Sequence, residues 1–224
     1  MTQLILIRHG ETDYNRELRF QGDSDVPLNA AGIAQAHAVA KALAGETIYK
    51  VVSSDLLRAR QTADIITQTL QQPPVKGQAT EPNWRERSFG QLDGMRAQDI
   101  QSQYPNEWAQ WLQYGIDDNT AGMESTRSLH GRVMKAAQLH AFEGCNNNVV
   151  VVTHGGVLDM IYRQAQGLPL EGPRQCDIPN AGINRVALHC PNWGRWELVI
   201  LEWAKTTHLH GLPAQAVYDK APSA

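Results

Sequence analysis

Two four-residue apolar runs, Leu4-Ile5-Leu6-Ile7 and Val149-Val150-Val151-Val152, limit the folds open to this chain more than any other feature. Each run is continuous rather than alternating, so both of its faces must be covered, which is the pattern of central strands in a parallel sheet flanked by helices. Each also leads into a histidine that a glycine follows, as Arg8-His9-Gly10 and Thr153-His154-Gly155. In open α/β sheets ligands bind beyond the carboxyl ends of the strands, so His9 and His154 can belong to one site.

Between these runs the sequence predicts further elements. Ala30 to Leu43 is alanine-rich at helical spacing and ends at Gly45, and Tyr49 to Val52 gives a third short strand, which completes a βαβ unit. Leu56, Ala59, Ala63, Ile66 and Leu70 follow a period near 3.6, with Asp55 as the expected cap and Arg58 in the first turn. Helices are also expected over Ala97 to Gln103, Asn106 to Gln113, Thr126 to Phe142 and Gly156 to Gln166. Asn184 to His189 and Arg195 to Trp203 read as a strand pair on the sheet edge, turning at Pro191-Asn192-Trp193-Gly194. The long loops 72–96 and 104–124 suit a binding rim or lid. A chain of 224 residues, 42% hydrophobic, suits one domain over 1–224 with a tail after about residue 206 that is peripheral.

The net charge of -3 gives no long-range attraction for nucleic acid or an anionic membrane, so neither is an expected partner and any positive site must be small and focused. Cys145, Cys176 and Cys190 form no CxxC or CxxH spacing and read as free thiols, which argues against a structural zinc site. The run Leu4 to Ile7 is too short for a signal-peptide core or a membrane span, and the expected location is cytoplasmic. A divalent-metal site would have to use His9, His154, Asp55 and Glu86, but these lack any compact HxxxH or HxH pair, and the HxH of His208 and His210 lies in the tail. No metal and no cofactor are therefore expected. Oligomeric state stays open, a homodimer included.

Charged or imidazole groups gather at element ends in four separated segments: Arg8-His9-Gly10-Glu11-Thr12, Ser53-Ser54-Asp55-Leu56-Leu57-Arg58, Glu86 with Gly90, and Thr153-His154-Gly155-Gly156. A phosphoryl group in transfer carries charge on its equatorial oxygens, so its catalyst needs a nucleophile, cationic donors converging on those oxygens, and an acid for the leaving group. These segments can supply all three. Glycines after both histidines let the backbone approach a phosphate closely, and following helix N-termini could add amide donors.

Taken in chain order, Leu6 to Thr12, Gln21-Gly22, Ser53 to Leu56 with Arg58-Ala59 and Gln61-Thr62-Ala63, Glu86, and Thr153 to Gly156 resemble the histidine phosphatase superfamily, also called phosphoglycerate mutase-like, from about residue 3 to about residue 190. The resemblance implies an α/β fold, a three-layer αβα sandwich whose mostly parallel central sheet carries an antiparallel edge strand. It also implies that His9 takes the phosphoryl group, that Arg8, Arg58 and His154 surround its oxygens, and that Glu86 protonates the leaving alcohol and then activates water. Asn15, Gln21, Gly22 and Gly155 are the expected phosphate or substrate contacts. An attacking imidazole must be neutral, whereas His154 does better as a protonated donor. Glu81 and Glu124 rival Glu86, which Gly90 and Gly94 favour by following at the family's spacing, although Leu92-Asp93 stands where the family often has Trp-Glu. Arg60 is expected to be solvated, and the six histidines 37, 130, 140, 189, 208 and 210 receive no role.

Phosphatases and mutases of this superfamily share the core, so the rim must separate them. Recognising phosphoglycerate's carboxylate and second phosphate calls for extra basic groups, which the family's mutases place in the insertion after the glutamate loop. Here Arg87 and Arg96 are the only basic residues between Glu86 and Arg127, while Tyr104, Trp108, Trp111 and Tyr114 suggest an apolar, anion-poor lid. Their i, i+3 spacing fits helix packing as well as substrate contact. Gly122-Met123-Glu124-Ser125 resembles the Gly-Gly-Glu-Ser segment of the phosphatase branch. The expectation is hydrolysis of a small phosphorylated metabolite. The alternatives are a cofactor-dependent phosphoglycerate mutase and a catalytically silent domain that binds phosphorylated ligands or protein partners.

Overall fold

The computed structural model describes residues 1–113, 120–144, 146–192 and 195–214. Six strands, β1 (Thr2–Arg8), β2 (Ile48–Ser53), β3 (Gln78–Thr80), β4 (Asn148–Thr153), β5 (Ile183–Asn192) and β6 (Arg195–Lys205), form one sheet in the order β3-β2-β4-β1-β5-β6. The two apolar runs lie side by side at its centre, β1 and β4 pairing in parallel from Gln3 opposite Asn148 to Arg8 opposite Thr153. β3, β2, β4 and β1 are parallel, and β5 is antiparallel to both of its neighbours, β1 and β6. The antiparallel strand is thus second from the edge, and the expected strand pair forms that side of the sheet.

Helices α1 (Asp13–Arg16), α2 (Ala30–Ala42), α3 (Leu57–Thr69), α4 (Ala97–Gln103), α5 (Pro105–Gln113), α6 (Thr126–Gly144) and α7 (Gly155–Gln166) complete the layers. Successive strand residues point to opposite faces, which is why the continuous apolar runs are needed. Leu4, Leu6, Val149 and Val151 pack with Leu129, Val133 and Leu158 of α6 and α7, while Ile5, Ile7, Val150 and Val152 pack with Val39, Ala59 and Ile66 of α2 and α3. Full burial contributes roughly 1.5–3 kcal/mol for each large aliphatic side chain, so β1 and β4 are firmly anchored from both faces. A smaller third cluster, built on Phe20, Leu92, Ile100 and Met123 with Trp108 and Trp111 against it, sits over the strand ends. Leu92 and Met123, two of the residues that differ from the resembled family's pattern, both fill this cluster.

The structure differs from the sequence reading at several points. Asp55 does not cap α3: Leu57 N donates to Asp25 Oδ1 at 2.6 Å, and Asp55 instead accepts Arg85 Nε at 2.7 Å and Nη2 at 2.8 Å. α1 was not anticipated; four residues carry no periodicity, and a reciprocal cap between Thr12 and Asn15 holds it. The three-residue β3 is shorter still. Part of the expected peripheral tail is anchored, since His208 Nε2 lies 2.9 Å from Ala181 O and Leu209 packs on the α2/α3 side of the core. Residues 215–224, Tyr114, Cys145, and Trp193 and Gly194 of the expected turn lie outside the described residues. Among the described residues no helix is long and apolar enough to cross a membrane.

One close backbone approach positions the loop after β1. A Cβ on Gly10 would stand 2.5 Å from the carbonyl oxygen of Gly32, and a Cβ on Gly32 would overlap that of Glu11. The first turn of α2 therefore closes directly on the segment following His9, with no room for a methyl group on either side. Gly32→Ala should lower stability by about 1–3 kcal/mol in denaturant titration through overpacking. Gly45→Ala, where an added Cβ meets nothing, should stay within about 0.5 kcal/mol. Equal effects at the two positions would contradict this account of the loop.

Candidate active site

The parallel ladder of β1 and β4 continues one residue past the strands, with His9 N donating to Thr153 O at 2.9 Å. This brings the rings of His9 and His154 to a centroid separation of 5.1 Å at 55°. His9 is 2% exposed and His154 fully buried. His9 Nδ1 lies 2.7 Å from Gly10 O; a carbonyl can only accept, so Nδ1 carries the ring proton and Nε2 keeps its lone pair. Asn180 Nδ2 donates to His9 O at 3.0 Å and fixes the backbone from the other side. Both ring nitrogens of His154 are buried without a hydrogen-bond partner among the described residues.

Arg58 enters from the first turn of α3 and is fully buried. Its Nη1 donates to Ser24 O at 2.7 Å and its Nη2 to Gly22 O at 2.9 Å, while its buried Nε has no partner among the described residues. Burial draws its pKa down to about 10, with the Glu86 carboxylate opposing, which leaves it charged at neutral pH. Arg8, at the end of β1, donates from Nη1 to Ile178 O at 2.7 Å. Burial first, and then the charges of Arg58 and Arg8, hold the His9 imidazole well below its ordinary pKa, with the Gly10 carbonyl opposing. His154 is lowered in the same way, by burial and then by Arg58.

Glu86 sits on the opening turn of α7. Its Oε1 accepts from Gly156 N at 2.9 Å and from Arg87 N at 2.8 Å, and a helix N-terminus favours a carboxylate. A Cβ on Gly156 would overlap Glu86 Oε1, so the second glycine after His154 makes this seat possible. The rivals are engaged elsewhere: Glu81 accepts from Asn83 N at 2.9 Å, and Glu124 pairs with Arg132 through two contacts of 2.7 Å. Sequence reasoning missed Arg132, which also donates to the carbonyls of Asn83, Arg85 and Glu86 at 3.0, 2.7 and 2.9 Å. It fastens the loop that presents Glu86. Its partners are mostly main-chain oxygens, so no side-chain pattern could have revealed it.

A pocket of about 200 Å³ opens over this cluster, with Arg8, His9, Arg58, Glu86, Gly155 and Gly156 along it. Asn15 and Gln21 also line it. The Thr12 hydroxyl lies 3.1 Å from Asn15 Oδ1 and 2.9 Å from Gln21 Oε1, which leaves the two amide NH2 groups as donors for the pocket. Gly22 and His154 are not on the wall; Gly22 instead holds Arg58 through its carbonyl. Phe20, Phe89, Trp111 and Leu112 make an apolar side. Trp111 also packs on Phe20 at 4.8 Å and on Trp108 at 5.0 Å, so this helix both packs down and faces the pocket. The pocket is more cationic than the segment after Glu86 alone suggests: Arg19, Arg87 and Arg174 join Arg8 and Arg58, with Glu86 the one carboxylate among the described lining residues. Arg19 and Arg174 lie outside the insertion that the sequence reading weighed. Among the described residues no group of three or more His, Cys, Asp or Glu side chains is arranged to hold a metal ion.

Comparison with known proteins gives the same picture. The family model described as "Histidine phosphatase superfamily (branch 1)" matches residues 4–203. The chain is 34% identical over 211 residues to the "Metal-independent phosphoserine phosphatase" of Arabidopsis thaliana, covering 93% of this chain and 84% of that protein. It is also 34% identical over 214 residues to the "Probable phosphoglycerate mutase GpmB" of Yersinia enterocolitica, covering 93% of this chain and 95% of that one. Among solved structures, a phosphoserine phosphatase mutant from Entamoeba histolytica in complex with phosphoserine superposes with a TM-score of 0.76 at 26% identity, covering 93% of this chain and 100% of that chain. With the family model spanning nearly all of its sheet and all of its site, this chain belongs to the histidine phosphatase superfamily.

Proposed function

We propose that His9 is the nucleophile of a phosphomonoester hydrolase that works through a phosphohistidine intermediate on small phosphorylated metabolites. The chain is a metal-independent histidine phosphatase, and the observation that carries the residue assignment is the gathering of His9, His154, Arg8, Arg58 and Glu86 at the carboxyl ends of β1 and β4. The lone pair of His9 Nε2, the His154 imidazole at 5.1 Å between ring centroids, and the buried Nε of Arg58, which has no partner among the described residues, are groups of the kind that engage a tetrahedral oxyanion. In the first step a bond forms from His9 Nε2 to phosphorus as the ester P–O bond breaks, and the carboxyl of Glu86 passes a proton to the leaving oxygen. In the second step Glu86 takes a proton from water, whose oxygen bonds to phosphorus while the N–P bond breaks and phosphate leaves. Arg8 and Arg58 hold the equatorial oxygens throughout.

Protonation follows from the same geometry. Without a ligand both imidazoles are neutral, as attack requires of His9. A phosphate dianion brings His154 the negative neighbour it lacks and raises its proton affinity, which turns it into a charged donor. Hydrolysis is favoured over the mutase alternative by the phosphoserine phosphatase relative and by the structural neighbour carrying phosphoserine. The mutase-named relative keeps the phosphoglycerate assay informative. A silent binding domain would have no use for an acid seated beside the anion site.

His9→Ala should lower phosphatase activity by at least about 10³-fold and abolish acid-labile phosphoryl trapping, and Glu86→Gln should lower kcat by roughly 10²–10⁴-fold. Chelator should leave the wild-type rate unchanged. Full activity in His9→Ala, or primer-dependent phosphoglycerate interconversion without phosphate release, would contradict the proposal. The lowered imidazole pKa values have a second consequence. Below about pH 6.5 the unfolded chain takes up protons that the folded His9 and His154 refuse, so stability falls with pH by about 1.4 kcal/mol per unit for each. Above that pH neither state binds the proton and the effect vanishes. In phosphate-free buffer the double variant His9→Asn, His154→Gln should show a shallower acid slope than wild type in denaturant titrations from pH 8 to 5; identical slopes would show that the two rings are not held neutral.

A further inference from the structure

The phosphatase reading leaves unexplained why the pocket gathers more cationic groups than one phosphoryl group requires. Arg8 and Arg58 face the His9 side, and Arg19 is matched by Glu17 at 2.6 Å. Arg174 stands elsewhere. Its Nη2 lies 3.8 Å from the point where a Cβ on Gly155 would stand, and Glu86 Oε2 lies 3.6 Å and Arg8 Nε 3.8 Å from that same point. The guanidinium of Arg174 thus lies close to both the carboxyl of Glu86 and Arg8, on the side of the pocket where the proposed leaving-group acid stands. Phe20, Phe89, Trp111 and Leu112 line the same pocket of about 200 Å³.

We propose that Arg174 is a specificity-determining residue that binds a carboxylate carried by the leaving group, so that the preferred substrates are phosphomonoesters of small hydroxy acids or hydroxy amino acids. The proposal rests on the phosphatase reading and deepens it. A guanidinium is the matching donor for a carboxylate, since its planar fork offers two parallel N–H bonds. With Glu86 at the ester oxygen, a carboxylate one or two carbons away falls on the Arg174 side, and the hydrocarbon between them meets the apolar wall.

The surrounding structure is built to hold Arg174 in place. Arg163, 1% exposed on α7, donates to the carbonyls of Pro169, Glu171, Gly172 and Pro173 at 2.7, 2.9, 2.7 and 2.9 Å, which fixes the backbone leading into Arg174. Arg163 Nε is itself held by the fully buried Asp159 Oδ2 at 2.8 Å, and the other oxygen of Asp159 lies 3.9 Å from Arg174 Nε. Gly172 N donates to Gln113 O at 2.6 Å, so the same loop is tied to the end of α5, the helix that carries Trp111 and Leu112. The cationic and apolar walls are thereby one assembly, anchored on the helix whose first turn seats Glu86.

The test compares O-phosphoserine with O-phosphoethanolamine, which differs from it only by lacking the carboxylate, and uses p-nitrophenyl phosphate to report the phosphatase chemistry by itself. Wild type should prefer O-phosphoserine in kcat/KM by at least about tenfold, the discrimination expected of one charge-assisted contact. In Arg174→Ala that ratio should collapse to within about twofold, the loss appearing mainly in KM for O-phosphoserine. Arg174→Lys should recover part of the ratio, a result that a merely structural role would not give. If wild type hydrolyses p-nitrophenyl phosphate but shows no preference within the matched pair, or accepts neither member, the assignment of Arg174 is overturned while the phosphatase reading stands. A ratio that Arg174→Ala leaves unchanged, both substrates suffering equally, overturns it as well. No hydrolysis of p-nitrophenyl phosphate and no trapped phosphoryl group would remove the phosphatase reading and this inference with it.

Discussion

The amide of His9 donates to the carbonyl of Thr153 at 2.9 Å, one step beyond the last strand pair, in which Arg8 lies opposite Thr153. Because β1 and β4 run in the same direction and in this register, their carboxyl ends coincide and the residues that follow them are neighbours. Had the strands been antiparallel, the two histidines would lie at opposite edges of the sheet. A parallel pair requires helical crossovers that cover both of its faces. Those same crossovers supply α3, which delivers Arg58, and the segment around residues 82–86, which delivers Glu86. Everything else in the site is fitted around that one register.

Concentrating this much polar function in a dry place conflicts with stability. A buried guanidinium and two buried imidazoles favour the neutral form or a partner, and the structure resolves the conflict differently for each. Arg58 keeps its charge by giving two of its nitrogens to carbonyls of the 22–24 loop. The imidazoles give up theirs. The ring nitrogens of His154 and Nε of Arg58 are among the buried polar atoms without a partner among the described residues, consistent with functional sites being where local rules are broken and supported from outside. That support comes from groups that touch no substrate in this account: Arg132 under the Glu86 loop, Asn180 behind His9, and the Arg85 to Asp55 fork beside them.

The sequence made the central strands and the longer helices legible because burial on both faces and a 3.6-residue period leave strong marks. α4 falls where its spacing placed it, and α5 and α7 begin one residue earlier than expected. Elements too short to carry a period, α1 and β3, left no such mark. Asp55 failed as a cap because Asp25, distant in sequence, reaches the helix first and Arg85 claims Asp55. The core site residues could be read from their places at strand and helix ends, and the structure brings His9, His154, Arg8, Arg58 and Glu86 together. Arg132 and Arg174 could not be read that way, since their importance lies in three-dimensional partners. The cationic character of the pocket was hidden for the same reason: the segment after Glu86 supplies only Arg87, while the further cations come from the loop after α1 and the loop after α7.

The central claim is that the imidazoles at 9 and 154 and the guanidiniums at 8 and 58 grip a single oxyanion. The most direct measurement is a crystal structure with vanadate, which adopts the five-coordinate geometry of phosphoryl transfer. The account predicts vanadium bonded to His9 Nε2, with equatorial oxygens accepting from Arg8, Arg58 Nε and a ring nitrogen of His154, and Glu86 at the apical oxygen opposite His9. Vanadate held on the rim arginines with His9 untouched would contradict it.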